Sequence, residues 1–252
     1  MDIAINETLG YVLRKEKIFN LITIKKISRF LDIGCGVGHF MHELLDKNVR
    51  GDGMDISAES LTIASQVLVH HKDVHFYTSL DEIPWSLYSH VFMLEVMEHI
   101  KNDAELLAHL KERISRETLL IISVPANQSY YGHHDVLSGH YRRYDYDTLK
   151  KLICDAGFAV KKIAGYGPYI LPFREPYLHW KAKNKLLKKN EPAFTERSSC
   201  SGLYLLNRER FLLDKIMLNS LITRLVAFPF TMLPDTITAK KYCLGYVVIA
   251  SS

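Results

Sequence analysis

The 252-residue sequence has few cysteines, no paired metal-ligand motif and no long apolar run, and each of these absences argues against a class of protein. Four widely spaced cysteines (Cys35, Cys154, Cys200 and Cys243) form no CxxC pair, so neither a structural zinc site nor a disulfide framework is expected. No stretch approaches the ~18 uncharged apolar residues of a membrane span. The N-terminus lacks a basic segment followed by an apolar run. We therefore expect a cytoplasmic globular protein.

Charge is low overall but unevenly distributed. The net charge of +4 is small for a nucleic-acid-binding domain, so DNA is not an expected partner and RNA is disfavoured. Residues 174–190, however, contain six basic side chains and one acid. This segment is either a solvated helix face or a surface for an anionic partner, such as phosphate or an anionic membrane contacted peripherally.

Apolar segments alternate with helical patterns along most of the chain. Strands are predicted at 29–33, up to 55, and at 74–77, 90–94, 119–124, 158–164 and 242–250. The alternation predicts an α/β, Rossmann-like, mostly parallel sheet of seven strands with helices on both faces.

The chain is expected to be one domain with a helical insertion between the last two strands. Residues 1–169 and 241–252 form the predicted core. Residues 170–240 are too many for a simple loop and contain helical patterns at 177–187 and 204–226. This insertion is either a roof over a substrate pocket or a plain packing or dimer surface.

A glycine-rich turn follows the first predicted strand. The segment FLDIGCGVGHF carries Asp32 at the strand end and then Gly34, Gly36 and Gly38 at alternate positions before a helix. Glycines allow a tight strand-to-helix turn and let the backbone approach a ligand closely. The motif alone is compatible with either a simple turn or a cofactor site.

A second acid favours the cofactor site. Asp55 ends the next strand, 17 residues after Gly38, where nucleotide-binding α/β folds place an acid on the ribose hydroxyls. A dinucleotide dehydrogenase usually has GxGxxG, but His39 stands where the last glycine belongs. Asp32 would repel a pyrophosphate and suits a cofactor with an ammonium group.

These segments resemble class I S-adenosylmethionine-dependent methyltransferases. LDIGCGVG resembles their motif I and GMDIS their ribose-binding motif. VFMLEVMEHI, residues 91–100, is similar to the segment after the fourth strand in the ubiquinone-biosynthesis-like branch of small-molecule methyltransferases. GHYRRY and the later AGF resemble a bacterial and archaeal branch found with sugar and cell-envelope genes. The resemblance covers residues 10–165 and the final strand, and implies S-adenosylmethionine as cofactor.

The resemblance also implies a set of cofactor contacts. They are Asp32, Gly34, Cys35 and Gly36 at the methionine part, Gly38 closing the turn, Asp55 on the ribose, Ile56, Ser79 and Leu80 at the adenine, and Glu95 beneath the methionine. Ser79 stands where family members often carry an acid, so its contact with the adenine is the least secure.

Methyl transfer is an in-line displacement, so most of the enzyme's task is alignment. An oxygen nucleophile must also lose a proton to a nearby base. His99 follows the fourth strand at the sheet edge where ligands bind, and it is the first candidate base. His140 is the second, expected to face the pocket from the opposite side. His99 could instead be a histidine that packs at the start of a helix.

The segment ExxEH is a candidate binding motif for a divalent metal ion. Glu95, Glu98 and His99 resemble the metal-binding segments of ubiquinone O-methyltransferases and RNA 3′-end 2′-O-methyltransferases. A further ligand would come from beyond the fifth strand, where His133, His134 and His140 lie. The alternative, that the carboxylates contact cofactor and backbone without a metal, is preferred.

Aromatic, histidine and arginine side chains crowd the segment after the fifth strand. They are Tyr130, Tyr131, His133, His134, His140, Tyr141, Arg142, Arg143 and Tyr144. They either contact a polar or anionic substrate or stabilise the loop itself, and one of the arginines could be structural. The expected function is O-methylation of a small-molecule or lipid- or sugar-linked acceptor. The alternatives are metal-assisted RNA 2′-O-methylation and cofactor binding without catalysis.

Overall fold

The computed structural model describes residues 8–168, 171–188 and 242–252. Seven strands form one sheet in the order β3-β2-β1-β4-β5-β7-β6. They are β1 Arg29–Ile33, β2 Arg50–Met54, β3 Phe76–Tyr77, β4 His90–Leu94, β5 Leu119–Pro125, β6 Ala159–Tyr166 and β7 Gly245–Ser251. β7 pairs antiparallel with both neighbours, and the other pairings are parallel. The predicted Rossmann-like, mostly parallel sheet of seven strands is confirmed.

Helices cover both faces of this sheet. They are α1 Leu9–Leu21, α2 His39–Leu45, α3 Ala58–Val67, α4 Asp103–Arg113, α5 His133–Ser138, α6 Tyr146–Asp155 and α7 Leu171–Lys188. Successive residues of a strand point to opposite faces, so Phe30 packs in one apolar core and Leu31 in the other. The sequence pattern predicts a helix at 38–47, but α2 begins one residue later and ends two residues earlier, because Gly38 and Asn48 have φ of +82° and +61°.

The sheet order reverses between β1 and β4, which lie side by side although β2 and β3 separate them in sequence. Loops leaving the carboxyl ends of such strands diverge and open a crevice, the usual ligand site of these folds. The glycine turn after β1 and the segment after β4 both begin at this point.

α7 is the described part of the insertion. It begins at Leu171, six residues earlier than the pattern at 177–187 predicted. It packs on α5: the His134 amide donates to His179 Nδ1 at 3.2 Å, and His179 Nε2 lies 2.7 Å from the Tyr130 carbonyl. The helix predicted at 204–226 lies outside the described residues. Within the described ranges, every helix is too short or too polar to cross a bilayer.

Candidate active site

The glycine turn is built by close backbone packing. Gly34, Gly36 and Gly38 all have positive φ, and the Gly34 and Cys35 amides donate to the Met54 carbonyl at 2.7 and 3.0 Å. A Cβ on Gly34 would lie 2.4 Å from Val96 Cγ2, so no side chain fits there. A Cβ on Gly36 would meet no protein atom within 4 Å, which leaves room beside the turn.

Asp55 fastens this turn to the end of β2. Its carboxylate accepts from the Gly36 amide at 2.8 Å and from the Ser57 amide at 2.9 Å. Ile56, the next residue, is 71% exposed, which is unusual for a large apolar side chain beside a predicted adenine site. A half-exposed carboxylate next to an uncovered apolar surface fits a ribose with its attached base.

Asp32 is buried behind the turn, with 3% of its surface exposed. Burial raises its pKa to about 8, an effect that Arg14 opposes and Asp55 reinforces. A ligand ammonium group at this carboxyl would favour its charged form.

Glu95 is held at the carboxyl edge of the sheet by three elements. Its Oε1 accepts from Ser123 Oγ of β5 at 3.0 Å and from the Tyr166 hydroxyl of β6 at 3.2 Å. Arg14 of α1 lies 3.5 Å from the same oxygen. Glu95 also has φ at +58°, a strained conformation for a non-glycine residue that is found most often at functional sites.

Arg14 is a site residue that the sequence did not reveal. It lies on α1, far in sequence from the glycine turn, and its charge reaches Asp32, Glu95 and Glu98. The apolar spacing at residues 5–22 predicts a helix, but it does not indicate which residues contact the polar side of that helix.

Ser79 and Leu80, which the resemblance places at the adenine, form hydrogen bonds within their own segment of the chain. The Ser79 hydroxyl accepts from the Asp81 amide at 3.3 Å, and the Leu80 carbonyl accepts from Trp85 Nε1 at 3.2 Å. Both residues are half-buried. Cys35 is buried, and its sulfur would lie 2.8 Å from a Cβ on Gly53. Its side chain therefore packs in the core, and only its backbone is available to a ligand.

His99 and His140 lie together, with ring centroids 4.7 Å apart and ring planes at 87°. The prediction that they face the pocket from opposite sides is therefore wrong. The two rings are neighbours because the chain returns after β5 to the segment that follows β4. The Tyr141 amide donates to the Glu98 carbonyl at 2.7 Å at this crossing. Burial, and then the charge of His140, lower the pKa of His99 to about 4.

His140 has a carboxylate partner. Its Nδ1 lies 3.0 Å from Asp135 Oδ1, and its backbone carbonyl accepts from the Tyr131 hydroxyl at 2.8 Å. Asp135 is fully buried on α5, a helix the sequence analysis did not predict. Its importance could not be recognised from its position in a polar stretch.

Arg143 connects the pair formed by His140 and Asp135 to α7 of the insertion. Its Nε donates to Asp135 at 2.8 Å, and its Nη2 donates to Glu175 of α7 at 2.5 Å. Burial alone would raise the pKa of Asp135, but hydrogen bonds from His140 and Arg143 hold it below the usual value. Arg142 is also structural: it donates to the Lys101 carbonyl at 2.6 Å and pairs with Asp103 at 2.9 Å.

Glu98 is the unusual carboxyl of the site. It is fully buried, and both of its oxygens have no hydrogen-bond partner among the described residues. Burial, and then the charge of Glu95, raise its pKa well above the ordinary value.

The donor atoms of Glu98, His99 and His140 lie within 4.8 Å of one another. The buried Nδ1 of His99 also has no partner among the described residues. These atoms fit a divalent cation. Glu95, part of the ligand set suggested by ExxEH, is instead engaged with Arg14, Ser123 and Tyr166.

Comparison with known proteins agrees with this geometry. A family model described as a methyltransferase domain matches residues 5–163. A putative tRNA methyltransferase of Mycoplasma pneumoniae is 40% identical over 68 residues, which are 26% of this chain and 32% of that protein. The chain thus spans about a third of the length of this curated relative.

Two solved structures show the same fold. One is a SAM-dependent methyltransferase from Archaeoglobus fulgidus, with TM-score 0.55 and 16% identity over 97% of this chain and 95% of that one. The other is phosphoethanolamine N-methyltransferase 2 of Haemonchus contortus in complex with S-adenosyl-L-methionine, with TM-score 0.51 and 15% identity. It matches 89% of this chain and 48% of its own. The chain belongs to the methyltransferase-domain family.

Proposed function

We propose that the enzyme methylates an oxygen atom of a small-molecule or lipid- or sugar-linked acceptor, with His140 as the general base. The observation that carries this proposal is the contact of His140 Nδ1 with the buried Asp135 carboxylate at 3.0 Å. A carboxylate on one ring nitrogen fixes the tautomer and leaves the other nitrogen free to accept a proton.

In the proposed reaction, the acceptor oxygen attacks the methyl carbon as the carbon–sulfur bond breaks. The acceptor proton passes to His140 Nε2, and Asp135 stabilises the resulting imidazolium. His99, whose pKa is lowered to about 4, stays neutral near pH 7 and would be a poor proton acceptor there. We infer that the role of His99 is to pack against His140.

The cofactor would be held from three directions. Asp32 would accept from its ammonium group, and Arg14 would pair with its carboxylate. Asp55 would accept from the ribose hydroxyls with the oxygen lone pairs that the two backbone amides leave free. The exposed side chain of Ile56 would pack on the adenine.

α7 supports the proposal that the insertion roofs the acceptor pocket. It packs on α5 beside Asp135, and Glu175 joins it to the same ion network as His140. Tyr177 and Trp180 on its outer side are 43% and 63% exposed, next to basic residues. This combination supports a peripheral contact with anionic lipid, which would suit a lipid-linked acceptor.

Metal-assisted 2′-O-methylation of RNA is the second candidate. The group formed by Glu98, His99 and His140 favours it, as does the similarity to a putative tRNA methyltransferase. A divalent cation there would bind the acceptor hydroxyl and make it more acidic. The assignment of this chain to the ubiquinone-biosynthesis-like branch of methyltransferases is supported by sequence resemblance alone.

Transfer of tritium from methyl-labelled S-adenosylmethionine into a cell extract would test these candidates. We expect label in the organic-solvent-extractable or small-molecule fraction, without loss on adding EDTA, and at least about a hundredfold less label with His140→Asn. His109→Asn, at a half-exposed histidine on α4, is the matched control.

Ribonuclease-sensitive, EDTA-sensitive label would support the RNA candidate instead. Cofactor binding without label in any fraction would support the non-catalytic alternative. Unchanged transfer by His140→Asn would remove His140 from the mechanism.

A further inference from the structure

A second group of metal-binding side chains lies where α2 and α3 end. His42 lies on α2, Asp46 follows the last residue of this helix one turn later, and His71 follows α3. His42 Nδ1 lies 3.2 Å from Asp46 Oδ2, and His71 Nε2 lies 3.2 Å from Asp46 Oδ1. The two imidazole rings meet edge to face, with centroids 5.5 Å apart. One donor atom from each residue lies within 4.8 Å of the others.

We propose that His42, Asp46 and His71 bind a divalent transition metal of the zinc type. Two imidazole nitrogens and one carboxylate oxygen are a donor set that zinc accepts, whereas magnesium and calcium prefer oxygen ligands. In a tetrahedral zinc site with bonds of about 2.1 Å, neighbouring ligand atoms are about 3.4 Å apart. Each imidazole nitrogen lies 3.2 Å from a different oxygen of Asp46, which is close to that spacing, and one donor atom from each of the three residues lies within 4.8 Å of the others.

The surroundings of the three side chains also suit a cation. The Asp46 side chain is 55% exposed, so a water molecule could complete the coordination. No lysine or arginine in the described parts of the chain forms a salt bridge with Asp46. The third group of this kind, Asp135, Glu175 and His179, differs because Arg143 already neutralises its carboxylates.

A metal here would join two elements that support the cofactor turn. α2 begins directly after Gly38, and Leu68, three residues before His71, lies 3.2 Å from where a Gly38 Cβ would be. The ion would therefore fasten the far end of α2 to the segment that packs on the turn. Binding to the folded state alone would also stabilise the protein.

Calorimetric titration of the tag-free 252-residue chain with zinc chloride, with magnesium chloride as comparison, tests this site. Loss of even an outer-shell partner of a metal weakens binding by roughly 10–100-fold. We therefore expect His71→Gln and Asp46→Asn each to weaken one zinc-binding event by at least about tenfold. His109→Gln, at a half-exposed histidine 3.9 Å from Asp81, should bind zinc like the wild type.

The variant His99→Gln distinguishes zinc bound at the candidate active site from zinc bound at the proposed site, because it leaves the three proposed ligands unchanged. We expect this variant to retain the event that His71→Gln loses. Zinc should also raise the melting temperature of His99→Gln and not that of His71→Gln. Equal zinc affinity and stoichiometry in His71→Gln and the wild type would overturn the site, as would complete loss of binding in His99→Gln.

Discussion

The amide of Gly36 donates to Asp55 Oδ2 at 2.8 Å, so the acid at the end of β2 holds the glycine turn after β1 in place. One carboxylate thus shapes the turn and faces the proposed ribose site.

Asp55→Ala removes both functions of this carboxylate. We expect the affinity for S-adenosylmethionine to fall by about 1–3 kcal/mol, because polar groups lose their partners. Calorimetry measures the loss, with Glu59→Ala in the exposed first turn of α3 as control. Undiminished affinity in Asp55→Ala would remove Asp55 from the cofactor site.

Gly34 and Gly36 should respond differently to alanine. Both need positive φ, which costs about 1–2 kcal/mol with a side chain. Gly34→Ala should lose roughly 1–3 kcal/mol more in free energy of unfolding, because its Cβ would overlap Val96 Cγ2. Urea unfolding of the ligand-free protein measures both losses. In a Val96→Ala background the difference should shrink, and equal losses in the wild-type background would contradict the steric explanation.

The elevated pKa of Asp32 should make cofactor binding release protons. Below about pH 8 the buried carboxyl of the ligand-free protein is largely protonated, and the cofactor's ammonium would favour its ionisation. Calorimetry at pH 7 in buffers of different ionisation enthalpy measures the release. We expect proton release from the wild type and much less from Asp32→Asn. Equal release from both would show that Asp32 does not meet the ammonium group.

The same pKa predicts a trend in stability. Between the ordinary value of 3.8 and about 8, the folded protein keeps a proton that the unfolded chain loses. The contribution of Asp32 to the free energy of unfolding therefore falls as pH rises through this window. Asp32→Asn should gain stability relative to wild type over that range and show no further relative gain above it. Denaturant unfolding at several pH values measures the difference, and a constant offset would contradict the raised pKa.

The ion network between Arg143 and Glu175 should contribute to stability. Glu175→Gln leaves a buried guanidinium with Asp135 as its remaining charged partner, so we expect a loss of about 3 kcal/mol, the low end for breaking a buried ion pair. Lys183→Gln, at an exposed position of the same helix, is the control. Urea unfolding curves that coincide for the two variants would show that this network does not stabilise the fold.

The sequence predicted the sheet well because its strands are apolar runs that end at recognisable residues. β1 runs into a glycine turn, and β5 ends at Pro125, one residue beyond the predicted range of 119–124. Helix ends were less accurate, since caps depend on local hydrogen bonds. α3, for example, begins after its predicted cap Ser57, whose hydroxyl accepts from the Ser60 amide, but it ends at Val67 and not near residue 70 as predicted.

The candidate site could be predicted only where a motif marked it. Asp32 lies near the end of β1 and Asp55 directly follows β2, so motifs marked both positions. Arg14 and Asp135 belong to no motif and reach the site through α1 and α5. The contact between His99 and His140 depends on how the loop after β5 folds back, which periodicity does not encode.

The pairing of β6 with β7 has a consequence for how this protein could be altered. Tyr166 is opposite Gly245, and the Leu244 amide donates to the Tyr166 carbonyl at 2.9 Å. Residues 167–244 thus leave and rejoin the sheet one strand spacing apart, about 4.8 Å, like the loop of a β-hairpin. A segment anchored this way can be lengthened, shortened or exchanged without shifting strand register. The sheet could therefore keep its register while this segment changes, as long as Glu175 of α7 still contacts Arg143.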